Sequence, residues 1–430
     1  MVELLRFHAV QSLRARAAAI AGVEPAVREA LEAIRDVLAG IPAGAAVAVT
    51  CGSRGIDRIA EVARAVCGAL RQAGARPLVV PAMGSHGGAT AEGQRRLLAE
   101  YGVTEDFVGA LVASSMETVS LGCTPEGVRV FMDRVAWEAG RVLALNRVKP
   151  HTDFDGEVES GLMKMLAVGL GKLDGAQSFH ANSLRLGFDK VILSMGREIV
   201  ASGRVLGGIG LVENDRHRLC QIAAAPAAGV EALDRRLLAR ARELHPKLPF
   251  SSLDLLIVDE IGKNVSGSGL DTRVIGRSTH PEHPIGLEGT TRIRRIYIRD
   301  VTAESEGNAI GMGFADVMHE RIARKLDLHA IYTNARASLA YVAASQPMCF
   351  PNDREALDFL LGNLGAPSPE RVRAAWIRNT LSVVSFLATP ACAAELATHP
   401  DYEVQPAVAV EFDEAGDLKT AAPALSEAAV

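Results

Sequence analysis

Two stretches in the first quarter of the chain share one grammar: a short apolar run, a glycine-rich loop, then residues with apolar positions at helical spacing. From residue 46, AVAVT meets CGSRG and passes into IDRIAEVARAVCGALRQAGA; PLVVPAMG, SHGG and TAEGQRRLLAEYG then repeat the pattern, with Thr90 as the expected N-cap. Strand, tight loop and helix in alternation demand a parallel sheet with helices packed on its faces. A third apolar run, VLALN at 142–146, leads into RVKPH. Ser53-Arg54, Ser85-His86 and Lys149-Pro150-His151 are thereby each expected just past the carboxyl end of a strand, where open α/β sheets bind their ligands.

At 430 residues the chain exceeds the size at which one core usually stops growing, so two domains are expected. The segment GVEALDRRLLARARELHP at 228–245 has leucine and alanine on one face and arginine on the other, and PKLP breaks it. The boundary is therefore placed near 246, giving domains 1–245 and 246–430. The second half opens another unit of the same kind: LDLLIVDEIG as a strand, KNVSGSGLDTRVIGR as a glycine and serine loop, RRIYIRDVT as a strand. DVMHERIARKLDL and PERVRAAWIRNTLS read as helices, and the residues after about 413 as a frayed end. The expected fold class is α/β: two α/β domains with mainly parallel sheets and an active site in the cleft between them.

Hydrophobic residues at 48% and charged ones at 23% suffice for a substantial core. A formal charge of −5, with both signs mixed along the chain, offers no field for DNA or RNA. The N-terminus lacks an apolar core of signal-peptide type and no stretch approaches the ~18 apolar residues of a membrane span, so no membrane partner and a cytoplasmic location are expected. Six scattered cysteines without a C-x-x-C pair argue against a zinc knuckle, an iron-sulfur ligand run or a disulfide framework. Cys51 stands apart from the others because it borders a candidate loop.

The candidate chemistry concentrates in HTDFDGEVESGLMKMLAVGLGKLDGAQSFH, from His151 to His180, with Lys164 sixteen residues before His180. Lys164 lies among apolar neighbours, where desolvation would make its amine a better nucleophile; the competing reading is a lysine that snorkels from a helix surface. His180 is either a metal ligand or a satisfied core histidine. His86, between glycines, and His151, stiffened by Pro150, supply two imidazoles, and acid/base groups on opposite sides of a carbon are what an inversion of configuration needs. Arg54 stands at a strand-to-helix junction suited to a phosphate or carboxylate, or else pairs with Asp57.

Together, CGSRGI, MGSHGG, the His151-to-His180 segment and, more weakly, IGKNVSGSGLD resemble the nickel-pincer lactate racemase family. The resemblance implies a pyridinium-3-thioamide-5-thiocarboxylic acid mononucleotide carrying nickel, covalently bound to Lys164, with His180 completing the metal coordination. It implies His86 and His151 as the catalytic acid and base and Ser53 and Arg54 as cofactor-binding residues; Lys263 in the second domain is the candidate for gripping the substrate carboxylate, the competing reading being an ordinary exposed lysine. It further implies a small-molecule 2-hydroxy acid as substrate and cofactor-biosynthesis proteins as loading partners. This chain has Cys51 and Gly55 where the family commonly has aspartate and proline, which points to a divergent branch acting on another 2-hydroxy acid, a sugar acid among the options. Two other readings compete with it: a nickel-independent acid/base enzyme acting on a hydroxy acid, and a non-catalytic protein that binds a phosphorylated ligand.

Overall fold

The computed structural model describes residue 2 and residues 5–52, 55–280, 285–286, 288–365 and 368–423. The chain forms two compact units, one of residues 16–151 and 155–245, the other of residues 1–15, 152–154 and 246–430. Both are α/β with mainly parallel sheets. The first strand, β1 (Arg6–Ser12), is part of the second unit, although the expected boundary placed it in the first domain. It pairs antiparallel with two strands from the C-terminal end of the chain, so its burial is supplied by residues nearly 400 positions away.

The first unit is built on strands β2 (Ala46–Cys51), β3 (Arg76–Pro81), β4 (Leu111–Val112), β7 (Val142–Arg147), β8 (Val205–Glu213) and β9 (Leu219–Pro226), in spatial order β4-β3-β2-β7-β8-β9. Only β9 is antiparallel to its neighbour. A separate hairpin pairs β5 (Thr118–Cys123) with β6 (Arg129–Asp133). The middle strands carry apolar residues throughout because helices cover both faces of the sheet. Helix Ile59–Gln72 shows the complementary pattern, burying Ile59, Val62, Ala63, Val66, Cys67 and Leu70 at i, i+3 and i+4 spacing against Val47, Val49 and Val79. Helix Ala91–Glu100 starts at Thr90, whose hydroxyl accepts the Gly93 N–H at 3.0 Å. Before it, Gly87 has φ +65°, and a Cβ there would lie 2.7 Å from the Gln94 nitrogen, so the SHGG loop packs against the helix start only as glycine.

The second unit continues with β10 (Ser252–Ile261), β11 (Arg292–Val301), β12 (Val317–His319), β13 (Met348–Phe350), β14 (Ala374–Ile377), β15 (Ser385–Ala388) and β16 (Tyr402–Ala409), in the order β13-β12-β11-β10-β14-β15-β1-β16. The segment DVMHERIARKLDL, expected to be helical, begins as β12 and becomes helix only over Glu320–Ala323. PERVRAAWIRNTLS, expected to be a helix, contains β14 instead. Its four residues AAWI are wholly buried between β10 and β15, and tertiary burial overrides the helical reading of the segment. The end after 413 is not frayed through residue 423. The Arg299 guanidinium pairs with Asp353 at 2.8 Å and also with Asp259; Asp353 accepts the Leu418 N–H at 2.9 Å and Asp259 the Ala422 N–H at 2.7 Å.

Candidate functional site

In the first unit's sheet the chain winds outward from β2 through β3 to β4, then returns to the other side of β2 as β7. The order of winding therefore reverses between β2 and β7, and the crevice beyond the carboxyl ends of two such strands is the usual ligand site of an open α/β sheet. The loop after β2 opens with Gly52. A Cβ at this position would stand 3.0 Å from the Asn146 side-chain oxygen and 3.3 Å from the Met165 methyl carbon. Asn146, near the end of β7, donates to the Gly161 carbonyl at 3.1 Å. The loop after β2, the end of β7 and the segment carrying Lys164 thus meet at this edge.

That segment runs as a short α-turn, Leu162–Lys164, widening to π-helix over Met165–Gly169, a rare turn that is frequent at functional sites. Lys164 is half-buried, with its amine 5.8 Å from the centre of the Phe179 ring. Phe179 lies edge-on to the His180 ring at 4.9 Å, so the amine and the imidazole both neighbour one aromatic side chain. His180 is half-buried on helix Lys172–Leu186.

His86 is exposed in the loop after β3. The same loop joins the Lys164 segment through the Gly84 N–H, which donates to the Gly169 carbonyl at 3.1 Å. The residue that sequence reasoning missed is Lys172, the fully buried lysine of this region: its amine lies 3.1 Å from Asp133 and donates to Gln94 at 2.9 Å and to the Pro81 carbonyl. Burial pushes the Lys172 amine below the usual lysine range and the Asp133 carboxyl above its own, against their mutual attraction. The motif GLGK was the one available signal, and its final residue, Lys172, takes φ +52°.

His151 follows β7 in a loop closed by the Lys149–Ser160 bridge. Its backbone N–H donates to Glu159, a fully buried carboxylate that also receives the Gly156 N–H at 3.3 Å and pairs with Arg242. Arg242 belongs to helix Val230–Leu244, and the same helix contributes Asp234, whose carboxylate accepts the Met163 N–H at 2.8 Å. Burial pushes the Asp234 carboxyl up to about 6 despite the Met163 and Leu162 amides that favour its charge.

Ser53 and Arg54 lie outside the described residues. Asp57, the alternative partner for Arg54, faces Arg218 at 3.3 Å and accepts the Leu219 N–H at 2.9 Å. Cys51 is buried and its thiol is pushed up to about 12, so it stays protonated and unreactive. Lys263, in the second unit, donates from its amine to the Gly267 carbonyl at 2.7 Å. In that unit His319, Asp353 and Asp417 bring one donor atom each within 4.8 Å of one another. Arg321 pairs with Asp417 at 2.6 Å and Arg299 with Asp353, so two guanidinium groups already balance these carboxylates.

No protein-family model matches the chain, and no curated protein matches it. Solved structures do. One is a Thermotoga maritima protein from a structural-genomics programme, 15% identical, covering 64% of this chain and 70% of its own, with a TM-score of 0.47. Another is the lactate racemase apoprotein from Thermoanaerobacterium thermosaccharolyticum, 13% identical, covering 81% of this chain and 86% of its own, with a TM-score of 0.45. Among the described residues no helix is long and apolar enough to cross a membrane.

Proposed function

We propose that this chain is a racemase or epimerase that inverts C2 of a 2-hydroxy acid, lactate-like or a sugar acid, using a nickel-pincer nucleotide tethered to Lys164. The observation that supports this reading most is the meeting, at the carboxyl edge of one parallel sheet, of the segments that carry His86, His151, Lys164 and His180. Gly52, Asn146, Gly84 and Gly169 make the contacts that join them.

The residues present fit such a group. Lys164 offers a half-buried primary amine for a thioamide link, and His180, beside the same Phe179 ring, offers a nitrogen donor of the type nickel accepts. Gly52, without a side chain, lets the loop after β2 pack closely against Asn146 and Met165 beside the Lys164 segment. Ser53 and Arg54 are proposed to hold its phosphate, and Lys263 the substrate carboxylate. When bound, the cofactor supplies a centre that accepts a hydride from the substrate carbon and returns it.

The proton is handled by the chain itself. One of the two imidazoles, His86 or His151, takes the hydroxyl proton at a ring nitrogen while neutral; the other, protonated, delivers a proton when the opposite enantiomer is formed. An imidazole suits both tasks because its ordinary pKa of about 6.5 lies close to neutral pH. The roles exchange with the direction of reaction.

The test is interconversion. Protein produced together with the cofactor-synthesis proteins is given one enantiomer of lactate or of a sugar acid, and the mixture is resolved by chiral chromatography. Approach to an equal or equilibrium mixture is expected, with His86→Ala and His151→Ala each slowing it by about 100-fold or more. Loaded protein that interconverts no 2-hydroxy acid, or a double variant as active as the parent, contradicts the reading.

A further inference from the structure

Lys172 sits eight residues after Lys164 and eight before His180, at the joint between their two helical segments. Its side chain is fully buried, an expensive place for an ammonium group that methionine would fill without cost in charge. Two N–H groups of the Lys172 amine have acceptors here, the Pro81 carbonyl at the end of β3 and the Gln94 side-chain oxygen at 2.9 Å, and the Asp133 carboxylate forms an ion pair with the amine at 3.1 Å. Gln94 is itself fully buried.

This arrangement settles the orientation of the Gln94 amide. With its oxygen held by Lys172, its nitrogen must face the other way, and it donates to the Gly84 carbonyl at 2.9 Å and the His86 carbonyl at 3.2 Å. Were the amide reversed, two carbonyl oxygens would face a third oxygen and the ammonium would face an NH2 group. On the opposite side, the Asp133 N–H donates to the Leu170 carbonyl at 2.7 Å, fixing the joint from which Lys172 projects.

We propose that Lys172, acting through Gln94, is a positioning residue for His86: it locks the histidine-bearing loop onto the joint between Lys164 and His180. The proposal deepens the racemase reading and rests on it for the role of His86. The positioning itself is carried by the hydrogen bonds alone, none of whose partners is adjacent in sequence to Lys172. Lys172 touches no reacting atom in this scheme; it acts through the backbone of the loop.

Gln94→Met tests this, since it cuts the relay and leaves the Lys172–Asp133 pair intact. The paired variant Lys172→Met with Asp133→Leu removes the ammonium without stranding a buried charge. Amide hydrogen exchange over residues 83–90 is expected to quicken about tenfold or more in both, with helix Phe188–Ala201 unchanged. In loaded enzyme kcat is expected to fall about 10- to 100-fold while KM stays within about twofold, because a misplaced proton-transfer group costs rate and not ground-state binding. Unchanged exchange over 83–90 in Gln94→Met overturns the proposal, as does an unaltered kcat in an active enzyme. If the parent turns over no hydroxy acid while exchange still quickens, the positioning stands and the racemase reading falls.

Discussion

The Asp234 carboxylate accepts the backbone N–H of Met163 at 2.8 Å, one residue ahead of Lys164. The contact is close enough to exclude any side chain at position 161, where a Cβ would lie 1.8 Å from the Asp234 oxygen. Burial raises the carboxyl from 3.8 to about 6, so the folded protein holds the proton more tightly than the unfolded chain. Stability from this group is therefore complete below pH 4 and is lost as pH rises through about 6, a cost of about 3 kcal/mol at neutral pH. Asp234→Asn keeps an oxygen for Met163 without the charge. It is expected to gain about 1–3 kcal/mol at pH 8 and almost nothing at pH 4, measured by urea unfolding at both values. A variant less stable than the parent at pH 8 would show that the charge itself is needed for folding.

Glu159 anchors the other side of the site through the His151 and Gly156 N–H groups and Arg242. Glu159→Ala leaves the His151 and Gly156 N–H groups without this acceptor and Arg242 with only the Gly156 carbonyl, and a loss of about 2–4 kcal/mol is expected. Glu159→Gln keeps an acceptor oxygen and is expected to lose less than half as much. Its turnover should nonetheless fall, since the amide cannot both accept from the His151 N–H and balance Arg242. Thermal melts and steady-state kinetics on the two variants check this ordering, and equal losses would refute it.

Five of the six cysteines are either exposed or buried, and Cys220 is half-buried. Cys123 and Cys349 are exposed, whereas burial pushes Cys51 up to about 12 and Cys67 and Cys392 up to about 11. A thiol reagent at pH 8 is expected to modify Cys123 and Cys349 in the native protein and to reach Cys51 only after unfolding, as peptide mapping would reveal. Rapid native labelling of Cys51 would mean that the end of β2 opens far more readily than its packing allows.

In the first unit β2, β3 and β7 were legible in the sequence because their signals are local, whereas β8, β9 and the β5–β6 hairpin were not. AVAVT, PLVVP and VLALN are apolar runs bounded by glycine or a charged turn, and Thr90 precedes its helix by one residue. β14 was not legible, since four consecutive buried residues show no alternation and are too few to establish a period of two. β1 is a strand only because β15 and β16 arrive beside it. Lys172 was hidden for a related reason: its partners stand 39, 78 and 91 residues away in the chain, and no local signal in GLGK reveals them. Lys164, among more apolar neighbours, is only half-buried.

The Arg299 network pins the C-terminal segment to the second unit's sheet. Removing one member of a buried pair strands the other charge, so Arg299→Met is expected to cost about 3–5 kcal/mol. Limited proteolysis should then cut between residues 411 and 423 well before the rest of the chain. Added nickel or zinc is expected to leave the melting temperature of the Asp417→Asn variant and of the parent equally unaffected at this cluster, because guanidinium groups already balance its carboxylates. A metal-dependent rise that disappears with Asp417→Asn would reassign the cluster as a metal site.

The most direct measurement on the catalytic reading is intact-mass spectrometry with metal analysis of protein produced alongside the cofactor-synthesis proteins. One nucleotide-sized mass increment per chain is expected, mapping to the peptide with Lys164 and absent from Lys164→Ala, with close to one nickel per chain that is lost in His180→Ala. Unmodified Lys164 and no nickel in a preparation where a known nickel-pincer enzyme is loaded in parallel would contradict it.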